Sequence, residues 1–286
     1  MLVEFSNVAR RTVAARTPTS PGRVTAESGR LAVEGVAVEY PGFTAVEDVA
    51  FEVPPGQFVA IVGPTGCGKS TLLNLVAGLQ APSAGHITTG GRPVSGVNRD
   101  CAYMFQMDAL LPWRSALQNV RLGPQLRGLP KGQAEKLARE WLARVGLAGM
   151  EDRYPHQLSG GQRKRVAMAQ ALINRLPILL MDEPFSALDV QTRSLMEQEL
   201  LGLWQEQGST VLFVTHDLEE AIALSDRVLL MTAGPRSRLK GDYAVDLPRP
   251  RNVVEARFTP GFSEIYQRLW NDLREEVLGS YARQRA

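Results

Sequence analysis

The sequence predicts an α/β protein with a mainly parallel sheet covered by helices. Three observations lead to this fold class: short apolar runs typical of buried strands, helical patterns that alternate with those runs, and a glycine-rich turn that joins one strand to the next helix. The strand-like runs lie at 58–62, 178–181, 210–214 and 227–231. The helical patterns lie at 69–79, 193–207 and 218–224. Such alternation indicates parallel strands connected by helices on the faces of one sheet.

The two ends and the middle of the chain depart from this pattern. Residues 31–40 alternate apolar and other side chains, as a half-buried strand does, so we expect the folded part to begin there. Residues of about 107–176 carry helical patterns at 131–145 and 163–174 and few strand signals, which predicts a helical subdomain inserted into the α/β core. From about Phe258, one helical face carries Phe262, Ile265, Tyr266, Leu269, Leu273 and Val277.

These patterns divide the chain into an extension at 1–30, a folded domain at 31–245 and a helical tail at 246–286 that is too short for a second domain. The extension contains five arginines and two acidic residues among many Thr, Ser and Pro residues, and it lacks the apolar stretch of a secretory signal. We expect it to be disordered. An Arg-rich organellar transit peptide is the alternative.

Composition excludes several classes of function. The chain has 286 residues, 44% of them hydrophobic, and a formal net charge of only +2, which argues against a surface built for nucleic acid or anionic lipid. The longest apolar runs fall far short of the roughly 20 residues that a membrane-spanning helix needs. The two cysteines, Cys67 and Cys101, have neither disulfide-framework nor metal-ligand spacing, so a reducing compartment is expected.

The clearest chemical signal is the glycine-rich segment at 63–71. It fits the pattern G-x-x-x-x-G-K-[ST], and a predicted strand precedes it and a predicted helix follows. Backbone N–H groups of such a loop converge on phosphate oxygens, Lys69 reaches the terminal phosphates, and the Ser70 hydroxyl binds Mg²⁺. A tight turn without a ligand is the alternative. The predicted nucleotide contacts are Gly63, Pro64, Thr65, Gly66, Cys67, Gly68, Lys69, Ser70 and Thr71.

Two acidic residues end the apolar run at 178–181, and they are Asp182 and Glu183. Ligands of open α/β sheets collect at the carboxyl ends of the strands. Asp182 is therefore predicted to hold the metal, and Glu183 to orient and polarise the water that attacks the γ-phosphate. By themselves, acids after a strand are often only helix caps.

A second anion-binding helix N-terminus is predicted at Ser159, Gly160, Gly161 and Gln162, which precede the helical pattern at 163–174. The alternative is a serine N-cap followed by flexible glycines. Two phosphate sites in one chain require an explanation that composition does not supply.

Taken together, the phosphate loop, the Leu-Ser-Gly-Gly-Gln segment at 158–162, Asp182-Glu183, the Ser-Ala-Leu-Asp segment at 186–189 and His216 resemble the nucleotide-binding domain of ABC transporters over residues 31–245. The resemblance implies a P-loop NTPase (RecA-like) core with an inserted helical subdomain and a short β edge subdomain.

Similarity to that family also implies roles for four further residues. Tyr40 stacks on adenine, and Gln106 senses the γ-phosphate, takes part in metal binding with Ser70 and Asp182, and links to the membrane partner. Asp189 crosses a dimer interface, and His216 contacts the γ-phosphate. Each has a plainer alternative: core at a strand end for Tyr40, a surface amide for Gln106, a helix N-cap for Asp189 and a structural histidine for His216.

A finer resemblance to ATPases of importers for nitrate, sulfonates, taurine and related small anions rests on Phe105-Gln106, Asn119-Val120, the segments 109–113 and 185–189, and the ending 265–276. Lys164 and Gln170 depart from that family, which more often carries Gln and Arg there. The implied function is ATP hydrolysis coupled to import of a small anion, with ATP and Mg²⁺ as cofactors. The implied partners are a second ATPase subunit in a homodimer or heterodimer, membrane-spanning permease subunits and, indirectly, a substrate-binding protein. The implied location is the cytoplasmic face of the membrane, and no nucleic-acid partner is expected.

Two further expectations concern Cys67 and the cluster Leu110-Leu111-Pro112-Trp113. A helix N-terminus lowers thiol pKa, so we expect Cys67 to be reactive, with burial as the alternative. The cluster is expected to form part of the groove for a permease helix, with ordinary core as the alternative. Two other functions compete with the main interpretation. The first is a non-transport ABC ATPase of translation or DNA repair, which usually has two cassettes, a zinc module or a long coiled coil. The second is a P-loop GTPase, which needs an Asn-Lys-x-Asp segment to bind its base. None of these features occurs in this sequence.

Overall fold

The computed structural model describes residues 27–285, and the side chains of 281–285 lie outside the description. The strands are β1 Leu31–Tyr40, β2 Phe43–Val53, β3 Phe58–Val62, β4 Ala84–Thr89, β5 Arg92–Pro93, β6 Cys101–Met104, β7 Ile178–Asp182, β8 Thr210–Val214, β9 Arg227–Met231 and β10 Leu239–Ala244. The helices are α1 Lys69–Val76, α2 Ala116–Val120, α3 Leu122–Leu126, α4 Lys131–Arg144, α5 Gly160–Leu172, α6 Val190–Gln207, α7 Leu218–Leu224, α8 Val253–Ala256 and α9 Pro260–Arg285. A 3₁₀ turn lies at Pro155–Gln157.

The strands form two sheets. The larger has the order β10-β9-β3-β8-β7-β6, with every pairing parallel except that of β10 with β9. The smaller is antiparallel, with the order β2-β1-β4-β5. The predicted α/β class with a β edge subdomain is therefore confirmed.

Both faces of the large sheet are buried, which explains why its strands are continuous apolar runs. Successive side chains of a strand point to opposite faces. In β3, Phe58, Ala60 and Val62 pack with the helices of one layer, whereas Val59 and Ile61 pack with α1 and the small sheet. The sheet therefore lies between two apolar cores.

The predicted helical subdomain lies between β6 and β7. In the described chain, residues 105–177 contain α2, α3, α4, the 3₁₀ turn and α5, and no strand. Ser115 begins α2 with a capping box that it forms with Gln118. Asn119 is fully buried, and its amide holds the preceding turn through the carbonyls of Leu111, Arg114 and Ser115. This insertion carries the Ser159 segment at the start of α5.

The C-terminal tail packs on the domain. In α9, Phe262 and Leu269 are buried, and Ile265, Tyr266 and Leu273 are half-buried against the same core. Val277, predicted on this face, is half-buried. None of the described helices is long and apolar enough to cross a membrane.

The predicted extension at 1–30 lies mostly outside the described residues, and only 27–30 fall inside. These four form a turn in which the carbonyl of Gly29 accepts a 2.6 Å hydrogen bond from Thr210 Oγ1. A Cβ on Gly29 would lie only 2.5 Å from that hydroxyl oxygen. Residues 27–30 therefore form a turn that is hydrogen-bonded to β8 through Gly29.

Candidate functional site

Four loops meet at the carboxyl edge of the large sheet. The strands β3, β8, β7 and β6 are neighbours in that order and run parallel, so the segments that follow them emerge at one edge. The phosphate loop follows β3, His216 follows β8, Asp182 and Glu183 end β7, and Gln106 follows β6. The topology thus brings together residues from widely separated parts of the sequence.

The phosphate loop is shaped by its glycines. Gly66 and Gly68 have φ angles of 77° and 93°, in the region that favours glycine. A Cβ on Gly68 would lie 2.5 Å from Val46 Cγ1, so only glycine fits between loop and small sheet. A Cβ on Gly66 would meet no atom within 4 Å, which shows that this part of the loop faces open space. The loop is therefore tightly packed behind and open in front, as a phosphate cradle requires.

Lys69 is held against this loop. Its side chain lies in a residue only 7% exposed, and Nζ donates to the carbonyl oxygens of Gly63 at 2.9 Å and Pro64 at 3.0 Å. These two carbonyls fix the ammonium group at the start of α1, where the helix N-terminus already favours anions. The positive charge is consequently positioned before any ligand arrives.

Cys67 differs from the expectation. Its side chain is fully buried, and this burial raises the thiol pKa, with the Lys69 ammonium only partly opposing the effect. The predicted lowering of the pKa is wrong because desolvation outweighs the helix terminus and the nearby charge. The alternative of structural burial describes Cys67. Its backbone remains part of the phosphate loop.

Ser70 and Asp182 form a pair suited to a hard cation. Ser70 Oγ donates to Asp182 Oδ1 at 3.1 Å, and both oxygens are of the kind that Mg²⁺ prefers. The pKa of Asp182 is raised, mainly by burial, and the Ser70 hydrogen bond and the Lys69 charge oppose this shift only in part. In the described chain no three His, Cys, Asp or Glu side chains group as metal ligands. The pair therefore fits a cation that keeps water and phosphate oxygens as its other ligands.

Glu183 is contacted by both polar side chains predicted to sense the γ-phosphate. Its Oε2 accepts from Gln106 Nε2 at 3.3 Å and lies 3.1 Å from His216 Nδ1. The Glu183 side chain is 20% exposed and that of His216 is 60% exposed, so the trio lies at the surface of the edge and is accessible to water. A carboxylate here can accept a proton from water, and an amide and an imidazole can donate to developing negative charge.

The backbone of Glu183 is unusual. Its φ of 43° lies in the left-handed region, which costs a residue with a Cβ about 1–3 kcal/mol. Its N–H donates to the Val214 carbonyl at 2.9 Å, and its carbonyl accepts from Ser186 Oγ at 3.1 Å. These bonds hold the strained turn, which aims the carboxylate out of the sheet edge.

Tyr40 ends β1 at the surface. Its ring is 46% exposed, stacks on Phe43 with centroids 6.4 Å apart, and its hydroxyl hydrogen-bonds Gln80. An exposed aromatic face next to the small sheet is available to a base. Phe43 and Gln80 support this ring and were not singled out from the sequence, because neither belongs to a spacing pattern.

The Ser159 segment is bonded mainly to itself. Ser159 is the N-cap of α5: Gln162 N–H donates to Ser159 Oγ at 3.2 Å, and Ser159 N–H donates to Gln162 Oε1 at 2.9 Å. The Ser159 hydroxyl accepts in this box and keeps its own proton to donate. A Cβ on Gly161 would lie 3.2 Å from Thr192 Cγ2, which places the segment beside the start of α6.

Asp189 caps α6. Its carboxylate accepts from the Thr192 N–H at 3.0 Å, and this hydrogen bond lowers its pKa. The helix-cap alternative therefore describes one contact of Asp189, although the residue is also exposed. In the described chain no hydrogen bond or ion pair joins residues 159–162 or Asp189 to the phosphate loop. The structure thus assembles one part of the predicted site and leaves another part separate.

Lys164, which differs from the residue usual in the resembling importer ATPases, contacts the loop that carries Gln106. The residue is 4% exposed, and Nζ lies 2.6 Å from the Gln106 carbonyl oxygen and 3.2 Å from Asp108 Oδ1. Arg163 Nε donates to the other Asp108 oxygen at 3.0 Å. Two basic residues of α5 therefore hold the loop that carries Gln106. The sequence shows two cations near the start of a helix, but it does not show that Asp108 is their partner.

Comparison with known proteins agrees with this geometry. A family model described as ABC transporter matches residues 46–186. A taurine import ATP-binding protein of Chromobacterium violaceum is 50% identical over 207 residues, which are 72% of this chain and 79% of that protein. An aliphatic sulfonates import ATP-binding protein of Escherichia coli is 45% identical over 239 residues, which are 84% of this chain and 90% of that protein.

A solved structure gives the same result at the level of the fold. The chain resembles a dimeric ATP-binding cassette in a post-hydrolysis state with bound ADP and Pi, with a TM-score of 0.68 and 30% identity. The match covers 76% of this chain and 100% of that one. Identity of this extent over most of both chains, together with the site geometry, identifies the protein as a member of the ABC transporter ATP-binding protein family.

Proposed function

We propose that this chain is the ATP-hydrolysing subunit of an ABC importer for a small anion. The observation that carries the proposal is the meeting of Lys69, the Ser70–Asp182 pair and the Gln106–Glu183–His216 trio at one sheet edge. These groups supply what phosphoryl transfer to water needs: a fixed cation, a metal-binding pair and a carboxylate for the attacking water. The reaction converts ATP and water to ADP and phosphate.

Each group has a separate role in this proposal. The adenine stacks on Tyr40, the phosphates lie on residues 63–71, and Lys69 binds the β- and γ-phosphates. Ser70 and Asp182 hold Mg²⁺, with Gln106 beside them, and the ion neutralises charge on the phosphates when it is bound. Glu183 accepts the proton of the attacking water. Gln106, whose amide has two protons, donates to that carboxylate and to the γ-phosphate, and His216 donates to the γ-phosphate.

The second anion-binding segment serves a nucleotide of the opposite subunit in this proposal. Residues 159–162 are exposed or half-buried and bind no group of the phosphate loop in their own chain. A two-fold dimer juxtaposes each phosphate loop with the partner's Ser159 segment and places Asp189 between the subunits. That the similar cassette is a dimer supports this arrangement.

A cleft between the Gln106 loop and the helical subdomain is the proposed contact with the permease. It has a volume of about 310 Å³ and is lined by residues that include Phe105, Asp108, Leu126, Gln170 and Asn174. Phe105 and Leu126 are 41% and 79% exposed, so the rim is apolar and accessible. A permease helix seated here would press on the loop that holds Gln106 and thereby reach Glu183.

The cluster at 110–113 lies beside this cleft in sequence but does not line it. None of its four residues lines the cleft, and Leu110 packs partly on the core. Trp113, by contrast, is 70% exposed. Leu110 and Leu111 are half-buried and Pro112 and Trp113 are exposed, so the cluster passes from the core to the surface. We keep only Trp113 as a candidate permease contact.

The cargo class rests on relatives named for taurine and aliphatic sulfonates. We propose a small oxyanion or organic acid, chosen by a substrate-binding protein and the permease, with this chain bound peripherally at the cytoplasmic face of the membrane. The domain limits proposed are 31–245 for the ATPase and 246–286 for the tail. An ATPase of translation or DNA repair is not supported, since the relatives are named as import proteins.

A deletion strain tests this function. Growth on taurine, alkyl sulfonates or nitrate as sole sulfur or nitrogen source should be lost for one of them, and restored by the wild-type chain but not by Lys69→Ala. Lys131→Ala, an exposed lysine of α4, is the matched control and should restore growth. The purified wild type should hydrolyse Mg-ATP. A defect confined to metal or sugar uptake would contradict the cargo class, and absence of hydrolysis would contradict the enzyme.

A further inference from the structure

Arg193, in the first turn of α6, joins two of the loops that form the site. Its Nη2 donates to the Leu188 carbonyl oxygen at 3.2 Å, and its Nη1 donates to Asp217 Oδ2 at 3.3 Å. The side chain is only 24% exposed. Leu188 belongs to the segment that follows Glu183, and Asp217 is the residue after His216. One guanidinium therefore holds the two loops that carry the catalytic pair.

The Asp217 end of this link is rigid. Asp217 Oδ1 accepts from the N–H groups of Glu219 at 2.8 Å and Glu220 at 3.2 Å, which caps α7. The Asp217 N–H donates to Thr215 Oγ1 at 3.0 Å, and this hydroxyl donates to Glu220 Oε2 at 2.6 Å. The residues on both sides of His216 are thus hydrogen-bonded to α7. A contact that fixes Asp217 therefore also fixes the loop that carries His216.

The Leu188 end is tied back to Glu183. The Leu188 N–H donates to the Phe185 carbonyl at 3.1 Å, and Ser186 binds the Glu183 carbonyl. Leu188 and Phe185 are themselves buried, at 8% and 1% exposure. The segment from Glu183 to Leu188 is therefore a compact turn. A bond to the Leu188 carbonyl, such as that from Arg193, consequently helps to fix the position of the whole turn.

These contacts close a ring around the catalytic carboxylate. On the open side, Glu183 Oε2 lies 3.1 Å from His216 Nδ1. Behind them, Arg193 joins the same two loops through Leu188 and Asp217. We propose that Arg193 is a positioning residue, which sets the distance and orientation of Glu183 relative to His216 during ATP hydrolysis. The inference deepens the proposed ATPase function and rests on it.

The charge of Arg193 is paired with carboxylates of its own chain. Its guanidinium forms ion pairs with Asp217 at 3.3 Å and, through Nε, with Glu220 at 3.6 Å, so two carboxylates neutralise it. Arginine suits this task because its planar fork presents several donors in fixed directions, whereas lysine has a single ammonium. A lysine at 193 could satisfy one loop but not hold both.

The test compares Arg193→Met with Arg165→Met. Arg165 is the matched control because its side chain is 19% exposed and also forms an ion pair with α6, through Glu199, but contacts neither the Glu183 loop nor the His216 loop. For Arg193→Met we expect kcat for ATP to fall about tenfold or more, since small misplacements of reacting groups have effects of this size. The KM and the Tm should stay close to those of the control. Arg193→Lys should retain an intermediate kcat.

A double-mutant cycle with Asp217→Asn separates positioning from general stability. Asparagine still caps α7 but has no charge, so it removes the ion pair with Arg193. If Arg193 acts through Asp217, the double variant should have the kcat of Arg193→Met alone, whereas Arg165→Met should add its effect to that of Asp217→Asn. Additive losses for Arg193 and Asp217, or a kcat of Arg193→Met within about twofold of the control, would overturn the inference. An inactive wild type would instead contradict the ATPase itself.

Discussion

The two glycine-rich segments of this chain are held in different ways. At the phosphate loop, Lys69 is buried and bound to two carbonyls, and side chains from three other loops meet beside it. At the second segment, Ser159 and Gln162 are bonded to each other and otherwise face outward. The first is organised by its own sheet, whereas among the described residues the hydrogen bonds of the second stay within its own helix start. This difference supports our proposal that the first segment makes one half of a site and the second completes another.

The physical origin of the difference is topological. The phosphate loop follows a central strand, so its neighbours on the sheet edge are determined by strand order. The Ser159 segment lies in an insertion of helices, which is fastened to the Gln106 loop by Lys164 and Arg163 through Asp108. An insertion held at such a point can change its orientation together with that loop. The proposed catalytic groups therefore lie on the sheet edge, and the second proposed anion-binding segment lies on the insertion.

The largest expected effect comes from changing the organised half. Glu183→Gln keeps the size of the side chain and the contact with Gln106 but removes the carboxylate that accepts a proton from water. We expect kcat to fall about 100-fold or more and the Kd for ATP to stay within about threefold, since the loss falls on the transition state. Steady-state hydrolysis and nucleotide binding by fluorescence measure the two quantities.

Glu206→Gln is the control for this change, because Glu206 is an exposed carboxylate of α6 paired with Arg144 and remote from the sheet edge. Near-normal turnover of Glu183→Gln would remove Glu183 from the catalytic role. Equal loss of turnover in both variants would show a general effect on the fold.

The comparison itself is tested by mixing two inactive chains. Lys69→Ala damages the phosphate loop and Ser159→Arg the second segment, so each alone should lose most activity. In a mixed dimer both lesions fall on one site if sites are shared, and the other site is sound. We expect the mixture to regain a measurable fraction of wild-type hydrolysis after subunit exchange, with the rate rising more steeply than linearly with protein concentration in dilute solution.

Subunit exchange is verified by capturing mixed dimers through two different affinity tags. A mixture of each variant with itself, carrying the same tags, is the control and should stay inactive. If captured mixed dimers remain inactive, the shared-site model fails in its simple form, in which one sound site turns over alone.

Much of the site could be predicted because its residues stand next to strand ends. Gly63 to Thr71, Asp182, Glu183 and His216 each follow an apolar run, and parallel strands bring such positions to one edge whatever the sequence distance between them. The helix face of α9 was likewise visible, since Phe262 and Leu269 follow the helical period and are buried. Local pattern and global arrangement agree for these residues.

Other features depend on contacts that no local pattern encodes. The pKa of Cys67 is raised because the loop turns its side chain into the core, and a motif gives the backbone path but not this direction. In the sequence, Lys164 and Arg193 look like ordinary cations of a helix. Their roles depend on contacts with Gln106, Asp108, Leu188 and Asp217, which lie in other segments of the chain. The cluster at 110–113 is divided between core and surface, because adjacent residues in an irregular segment need not share a face. Each miss is a case in which tertiary packing decides.

The smallest effect is expected behind the site, at Glu197 of α6. Its side chain is fully buried, and neither carboxylate oxygen has a hydrogen-bond partner. The charged groups facing it are Glu220 and Asp217 near α7, Arg193 on its own helix and Arg257 after α8, whose Nη2 is 3.9 Å away. Burial, together with the charge of Glu220, raises the pKa of Glu197 from 4.5 to about 7, and Arg257 only partly opposes this.

Because the folded pKa lies above the unfolded one, the folded chain keeps a proton between pH 4.5 and about 7 that the unfolded chain has released. Stability must therefore fall as pH rises through this window and level off above it. Glu197→Gln removes the titrating group, so between pH 5 and pH 8 the free energy of unfolding of the wild type should decrease relative to the variant by about 1–3 kcal/mol. Urea unfolding at several pH values measures the difference. Glu206→Gln is again the control, since its carboxylate is 62% exposed and should show a much flatter difference. A difference for Glu197→Gln that is independent of pH, or that grows in the opposite direction, would show that Glu197 is ionised in the folded chain, and that Arg193 and Arg257 compensate its charge more fully than their distances suggest.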